Sequence, residues 1–363
     1  MENKTVIPFV GLDRQYKNLR EEIREVSDLV YGSGKVLDGP YTYEFQQAMA
    51  FRTDRKYAVS VNSCSMALLI CYIFLAQDTK KKNVVLPAYS FVATRNAPDL
   101  TGWNQTFVDV DENGLMNLDA LDAHKDQIDV VSYVNLFGNI IDYDKLKVIS
   151  TFFHDLTIIE DAAQSFGASY KGIPSGKLGY ASCLSFDPTK NLPNYGSGGM
   201  ILTDDARLYE FAKDFRDNGK HTNHYRSGSN TKMNEVDCAQ MLVKLRYFTA
   251  WQERRANIAK FYTECLDGVF ADCPKANPDV VHAWHKYVIQ LADRDALQEY
   301  LTGVGIETKV HYSYGLPRTG IYPNASELTR CSLSLPIYPE MSDAEVETVV
   351  GHIQNFFKSY TNP

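Results

Sequence analysis

The 363-residue chain is long enough for two modest domains, or one large domain with a lobe, and its 44% hydrophobic content is that of a globular protein with a substantial core. With 37 Lys and Arg against 45 Asp and Glu, the formal net charge of −8 argues against a nucleic-acid partner. No run approaches the roughly 18 apolar residues of a membrane helix, so a soluble protein with no membrane partner is expected.

The first residues, MENKTVIPFVGLDRQYKNLREEI, contain no apolar h-region and pass into a charged helical pattern, so no signal peptide is expected and a helix is predicted near 12–30. The stretch YGSGKVLDG at 31–39 resembles part of a phosphate-binding G-x-x-x-x-G-K-[ST] loop, but Leu29 stands in place of the first glycine and Val36 follows the lysine. A second helix is predicted near 40–52 and a third at about 65–76. The third opens in VSVNSCSMALLI, where Asn62, Ser63, Cys64 and Ser65 form either a plain cap or a phosphate-binding helix start.

Short strand candidates follow: NVVLPAY, TFVDV, DVVSYVN, TIIED, YASCLSF and MILTD. Their alternation with helical segments indicates an α/β domain with a largely parallel sheet, whose strand ends are where a ligand binds. Within LPAYSFVATRNA, Tyr89 and Phe91 are core aromatics unless a planar cofactor lies beside them. From about 246 the pattern changes. A long charged helix, FTAWQERRANIAKFYTECL, leads to HKYVIQLA, a helix near 294–303, the strand candidate IETKVHY and a final helix near 342–358, a mixed set that predicts a smaller α+β lobe. The boundary is set near 245.

The pairs His221/His224 and His282/His285 have spacings that suit a metal on a helix, but no carboxylate or cysteine cluster accompanies them and no metal is expected. The seven cysteines, at 64, 71, 183, 238, 265, 273 and 331, form no C-x-x-C pair, and an odd number cannot all pair within one chain. Reduced thiols and a cytoplasmic location are expected.

In SFDPTKNLPNYGSGG, Lys190 lies between an apolar run and a glycine-rich turn. It is either a solvated loop lysine or, held between two core strands, a desolvated amine whose pKa falls toward that of a nucleophile. In TIIEDAAQSFGA, a strand ends in Glu160 and Asp161, with Gln164 just beyond. Such an acid either caps the next helix or, when buried, keeps a ring nitrogen protonated, as the partner of the pyridinium does in pyridoxal phosphate (PLP) sites.

The segments EDAAQSFGASYKG and SFDPTKNLPNYGSGGMILTDD, with the order of segments from VIPFVGLDRQY to LSLPIYPEMSDAEVETVV, resemble the DegT/DnrJ/EryC1/StrS family of PLP-dependent aminotransferases acting on nucleotide-linked keto sugars. The resemblance implies the PLP-dependent transferase fold type I: a large PLP-binding α/β domain over 1–245, with a mostly parallel central sheet flanked by helices, and a small α+β domain over 246–363. It implies that Lys190 forms the Schiff base with the cofactor, that Asp161 is the partner of the pyridine nitrogen, and that Gln164 lies beside the ring and its phenolic oxygen. Cys64, Ser65 and Ser185 fall where the family binds phosphate, and Phe91 falls where an aromatic stacks on the ring. Asn230, in SGSNTKMNEVDCAQ, matches an asparagine that reaches the phosphate in the partner subunit of a homodimer with shared active sites. His311 and Tyr312 match a segment lining the sugar side.

The chain departs from the family pattern at Asp187, where an aromatic or histidine is common, at Ser182, where Asp is usual, at Ser197, where an acid is frequent, and at Asn135, where a histidine often precedes LFG. Of these, Asp187 and Asn135 are expected to face the active site and to bear on the substrate. The activity implied is a ping-pong transfer of an amino group from an amino acid, by resemblance glutamate, to a nucleotide-linked keto-deoxy sugar, with Lys190 as nucleophile, base and acid in turn. The alternatives are a PLP-dependent sugar dehydratase and a non-catalytic regulatory or binding member of the same fold. Lysine at 190 disfavours the first, because that branch carries histidine there, and the intact pair of Asp161 and Lys190 disfavours the second.

Overall fold

Short runs rich in Val, Ile and Leu, separated by helical segments, assemble into one seven-stranded sheet. The computed structural model describes residues 6–79, 82–124, 127–153 and 155–360; Met1–Thr5 of the amino-terminal segment read above lie outside them. In chain order the elements are α1 (Leu12–Ser33), α2 (Pro40–Arg52), β1 (Tyr57–Val61), α3 (Cys64–Leu75), β2 (Asn83–Pro87), α4 (Ala93–Leu100), β3 (Asn104–Val108), β4 (Val130–Val134), α5 (Tyr143–Ser150) and β5 (Thr157–Asp161). They continue with β6 (Ser169–Tyr170), β7 (Ile173–Pro174), β8 (Ala181–Ser185), β9 (Gly199–Thr203), α6 (Ala206–Phe215) and α7 (Glu235–Leu266). After α7 come β10 (Val280–Val281), β11 (Tyr287–Gln290), α8 (Arg294–Gly303), α9 (Pro323–Cys331), β12 (Ser332–Leu335) and α10 (Asp343–Tyr360).

The large sheet has the order β1-β9-β8-β5-β4-β2-β3. Only β9 runs antiparallel to its neighbours, so the sheet is mostly parallel, as expected from the alternation of elements. Such a sheet must be covered on both faces. Alternate residues of a strand serve the two sides: Val84 and Leu86 pack with Ala67 and Leu68 of α3, whereas Val85 packs with Val131 and Tyr133 in the opposite cluster. The carboxyl ends of β1, β2, β5 and β8 therefore open along one edge, and Asp161 and Ser185 are the last residues of two of them.

The smaller lobe pairs β11 with β12 in an antiparallel ribbon. Ile7 joins its core beside Ile258, Tyr262, Leu301, Leu333 and Ile353, and its N–H donates to the Gly305 carbonyl at 2.9 Å. Helix α7 begins earlier than the charged pattern predicts and runs through position 245. Its first turn is buried because Glu235 acts on a neighbour: the carboxylate accepts the N–H groups of Gly39 (2.9 Å), Tyr41 (2.6 Å) and Thr42 (3.1 Å), which open α2. The run IETKVHY is not a strand. Only Ile306 and Lys309 make isolated bridges, to Ile7 and Ser334, before the chain leaves the ribbon to bring His311 and Tyr312 to the sheet edge. The seven cysteines are free thiols, and among the described residues no helix is long and apolar enough to cross a membrane.

Candidate active site

At the carboxyl edge of the sheet lies a cavity of about 380 Å³, into which face Cys64, Ser65, Phe91, Asp161, Gln164, Ser185, Asp187, Lys190, His311 and Tyr312. The structure thus brings together every sequence-predicted site residue except Asn230 and Asn135. Asn230 is exposed, bridges Asp217, and does not line the cavity of its own chain.

One wall is the start of α3. Ser63 is the extended N-cap, and its hydroxyl accepts the N–H of Met66 at 3.2 Å. The first-turn amides at Cys64 and Ser65 have no acceptor within the helix, which together with the helix dipole makes this end an anion site. Glycine is required opposite. A Cβ on Gly199 would sit 2.3 Å from the Ser63 carbonyl carbon and 2.4 Å from the Cys64 nitrogen, so only glycine lets β9 begin against that peptide. Ser185, Ser197 and Gly198 line the cavity beside it. Burial pushes the Cys64 thiol well above its usual pKa, which makes it a packing group rather than a thiolate.

The floor is Asp161. It is buried, Thr94 Oγ1 donates to Oδ2 at 2.9 Å, and the Ala163 N–H donates to Oδ1 at 3.2 Å. Desolvation raises its pKa against the opposing pull of these two hydrogen bonds and of Lys190. Gln164 is tied on both ends of its amide: Oε1 accepts the Phe137 N–H at 3.2 Å and Nε2 donates to Tyr312 Oη at 3.1 Å. Tyr89 holds the segment carrying Tyr312, donating to the His311 carbonyl at 2.5 Å and accepting the Tyr312 N–H at 2.7 Å. Phe91 is 48% exposed, with its ring centroid 6.0 Å from that of Tyr312, so it forms an open, apolar side of the cavity.

Lys190 follows a turn in which Asp187 Oδ1 accepts the Thr189 N–H at 3.0 Å and the Thr189 hydroxyl at 2.7 Å. It is half-buried and lines the cavity, and desolvation lowers the pKa of its amine, with Asp187, Cys64 and Asp161 opposing. His311 Nδ1 lies 2.7 Å from Ser334 Oγ, and burial holds its pKa at about 3, so the ring is neutral.

Thr94, His285 and Lys286 also line the cavity, in places that the sequence analysis does not give them. Thr94 reaches Asp161 from α4. His285, weighed there with His282 as a metal pair, instead has Nδ1 3.2 Å from Gln164 Oε1 and Nε2 3.2 Å from the Thr189 carbonyl, and burial keeps it neutral. Lys286 lines the cavity beside it. No group of metal-ligating side chains occurs among the described residues. The expectation that Asn135 faces the active site is corrected by its burial: Nδ2 donates to Glu160 Oε1 at 2.9 Å and Oδ1 accepts the Ile141 N–H at 3.3 Å, away from the cavity lining. Ser182 belongs to the same network, donating to Glu160 Oε2 at 2.6 Å.

Residues 17–354 match the model of the DegT/DnrJ/EryC1/StrS aminotransferase family. The chain is 32% identical to a Geobacillus stearothermophilus protein named pleiotropic regulatory protein, over 98% of this chain and 99% of that one. It is 30% identical to the dTDP-3-amino-3,6-dideoxy-alpha-D-galactopyranose transaminase of Aneurinibacillus thermoaerophilus, over 97% and 99% of the two chains. Among solved structures, S. venezuelae DesV superposes with a TM-score of 0.92 at 29% identity, covering 97% of this chain and 98% of that one.

Proposed function

The chain belongs to the DegT/DnrJ/EryC1/StrS aminotransferase family, and on that premise we propose that its cavity moves an amino group from glutamate to the keto group of a nucleotide-linked deoxy sugar, in a cytoplasmic homodimer that uses PLP. The observation that carries this reading is the convergence of a desolvated lysine, Lys190, and a buried carboxylate, Asp161, on one cavity that ends at a helix N-terminus.

The residues present fit PLP. Asp161 is a buried carboxylate with two hydrogen bonds and no cation within ion-pair distance among the described residues, which suits a protonated ring nitrogen. The start of α3 with Ser185 suits a phosphate, and Phe91 offers a face for the ring. When bound, PLP supplies an electrophilic carbon and an electron sink for the carbanion stage of transamination.

The chain's own groups do the rest. Lys190 Nζ, whose pKa burial lowers, is the nucleophile that would tether the cofactor; once released, it would carry the proton from the α-carbon of the donor to the cofactor's electrophilic carbon. Thr94 and the Ala163 N–H fix the Asp161 carboxylate toward the cavity. Gln164, itself held by Phe137 and Tyr312, orients the ring side, and His311 with Tyr312 lines the sugar side. Asp187 lies where it bears on substrate choice.

The test is amine transfer from glutamate by the PLP-reconstituted protein to a panel of nucleotide-linked 3-keto and 4-keto sugars, read as 2-oxoglutarate formed. A protein that takes up PLP, seen by its colour, and transfers nothing to any member of the panel is a regulatory or binding protein instead. Loss of a hydroxyl from the sugar without amine transfer assigns the dehydratase reaction.

A further inference from the structure

Lys286 is only 5% exposed, yet it lines the cavity, and its Nζ lies 4.7 Å from the centroid of the Phe9 ring. Among the described residues it has neither a hydrogen-bond acceptor nor a carboxylate within ion-pair distance. Its surroundings add positive charge. Arg255, also 5% exposed, directs Nη1 to the carbonyls of Trp284 (3.2 Å) and Ile337 (2.8 Å) and has no carboxylate within ion-pair distance among the described residues, and Lys309 approaches the same Phe9 ring at 5.6 Å. Asp187 is the acid that faces Lys286, and its Oδ1 is already taken by Thr189. Buried ammonium groups are paired in folded proteins, because leaving one unpaired is costly.

We propose that Lys286 is a specificity residue whose ammonium binds a carboxylate that a substrate carries into the cavity, at the wall made by His285, Lys286, His311 and Tyr312. This rests on the aminotransferase reading above. The start of α3 provides for the cofactor phosphate, and the diphosphate of a nucleotide sugar is held away from the reacting carbon by the sugar ring; Lys286 lies within electrostatic reach of the reacting amine of Lys190, so the anion left for it to meet is a carboxylate. Both kinds of substrate could bring one: every amino-acid donor carries it beside the reacting amine, and an acidic sugar carries it on the ring. Burial among like charges lowers the pKa of Lys286, and an incoming carboxylate would raise it again as well as pair it.

The test titrates glutarate and D-glucuronate, unreactive carboxylates, into PLP-reconstituted wild-type, Lys286→Met and Lys286→Arg proteins by calorimetry. The expected result is roughly 10–100-fold weaker binding in Lys286→Met, as loss of a charge-assisted hydrogen bond entails, with affinity retained in Lys286→Arg. Lys286→Gln replaces Lys286→Met if melting shows the latter unfolded. Initial rates then separate the sources. A KM rise for glutamate that exceeds any fall in kcat assigns the carboxylate to the donor, and a rise confined to acidic nucleotide sugars assigns it to the acceptor. Affinities within about twofold of wild type in the charge-removing variant, or no binding of either carboxylate to wild type, overturn the proposal. Because the titration requires no turnover, it reads Lys286 even if the protein transfers no amine, a failure that would touch the proposed function alone.

Discussion

Thr94 Oγ1 donates to Asp161 Oδ2 across 2.9 Å, so the carboxylate at the end of β5 is aimed by a side chain from α4 before any ligand arrives. The arrangement sets stability against function. Asp161 has a pKa raised by burial in the cofactor-free protein, so its ionisation opposes folding: stability is complete below the unfolded carboxyl value and is lost as pH rises through the folded one. Asn never ionises; its Oδ1 can still accept the Ala163 N–H, and its Nδ2 can donate to the Thr94 hydroxyl, which accepts as well as donates. Asp161→Asn is therefore expected to melt higher than wild type without cofactor at pH 7, with the difference vanishing as pH falls toward about 4, near the ordinary carboxyl value. With PLP, the same variant loses most of its activity, since an amide forgoes a charge-assisted hydrogen bond of about 1.5–3 kcal/mol to the ring nitrogen. An unchanged kcat would remove Asp161 from the mechanism.

Lys190→Ala is expected to abolish turnover while the circular dichroism spectrum stays that of wild type, because nucleophile and proton carrier are the same atom. The lowered pKa of the wild-type amine gives a second reading. Deprotonated amine is the reactive form, so the rate of PLP uptake, followed by absorbance, rises with pH and levels off below the ordinary lysine value of 10.5. Near-wild-type transfer from glutamate in Lys190→Ala contradicts the assignment, and an inflection at or above the ordinary value contradicts the desolvation.

Glu160 precedes Asp161 on β5 and points to the other side of the sheet. Its carboxylate is fully buried and accepts from Asn135 Nδ2 (2.9 Å), Ser175 Oγ (2.8 Å), the N–H groups of Gly176 and Leu178 (both 3.0 Å to Oε2) and Ser182 Oγ (2.6 Å). Gln would turn one acceptor into a donor among donors. Glu160→Gln is expected to lower the urea-unfolding free energy by on the order of 3 kcal/mol, while the folded fraction keeps a wild-type KM. A loss of less than about 1 kcal/mol would show that the network relaxes around the amide.

The same network explains what the sequence left hidden. Lys190, Asp161 and Gln164 lie in two contiguous segments whose residue order is itself informative, and they do meet in one cavity. Thr94 and His285 arrive from α4 and from the turn before β11, and nothing local marks either as a neighbour of Asp161 or Gln164. Asn135 was misplaced because a strand end offers two directions and only the packing around Glu160 selects between them. The alternation of elements made the parallel sheet legible. The start of α7 was not, because KMNEVD reads as a polar loop until Glu235 is seen bound to the first turn of α2.

Asn230 stands outside the cavity of its own chain, exposed, while the next residue is anchored: the Thr231 carbonyl accepts the N–H of Asn62 at 2.8 Å, just ahead of the start of α3. That placement suits a residue presented to a second copy across an interface at this edge, and the expectation is that Asn230 completes the phosphate site of the partner subunit. Asn also makes turns for purely local reasons, so the two roles must be separated by complementation. Lys190→Ala subunits are expected to be inactive and Asn230→Ala subunits weakened. In a heterodimer of the two with shared sites, one site has both residues intact and the other lacks both. Activity should then rise above that of either parent, toward about half of wild type per dimer. Subunit exchange is verified with differential tags on the two chains. If exchange occurs and activity stays at the average of the parents, each site is built from one chain, and Asn230 acts within its own chain or not at all.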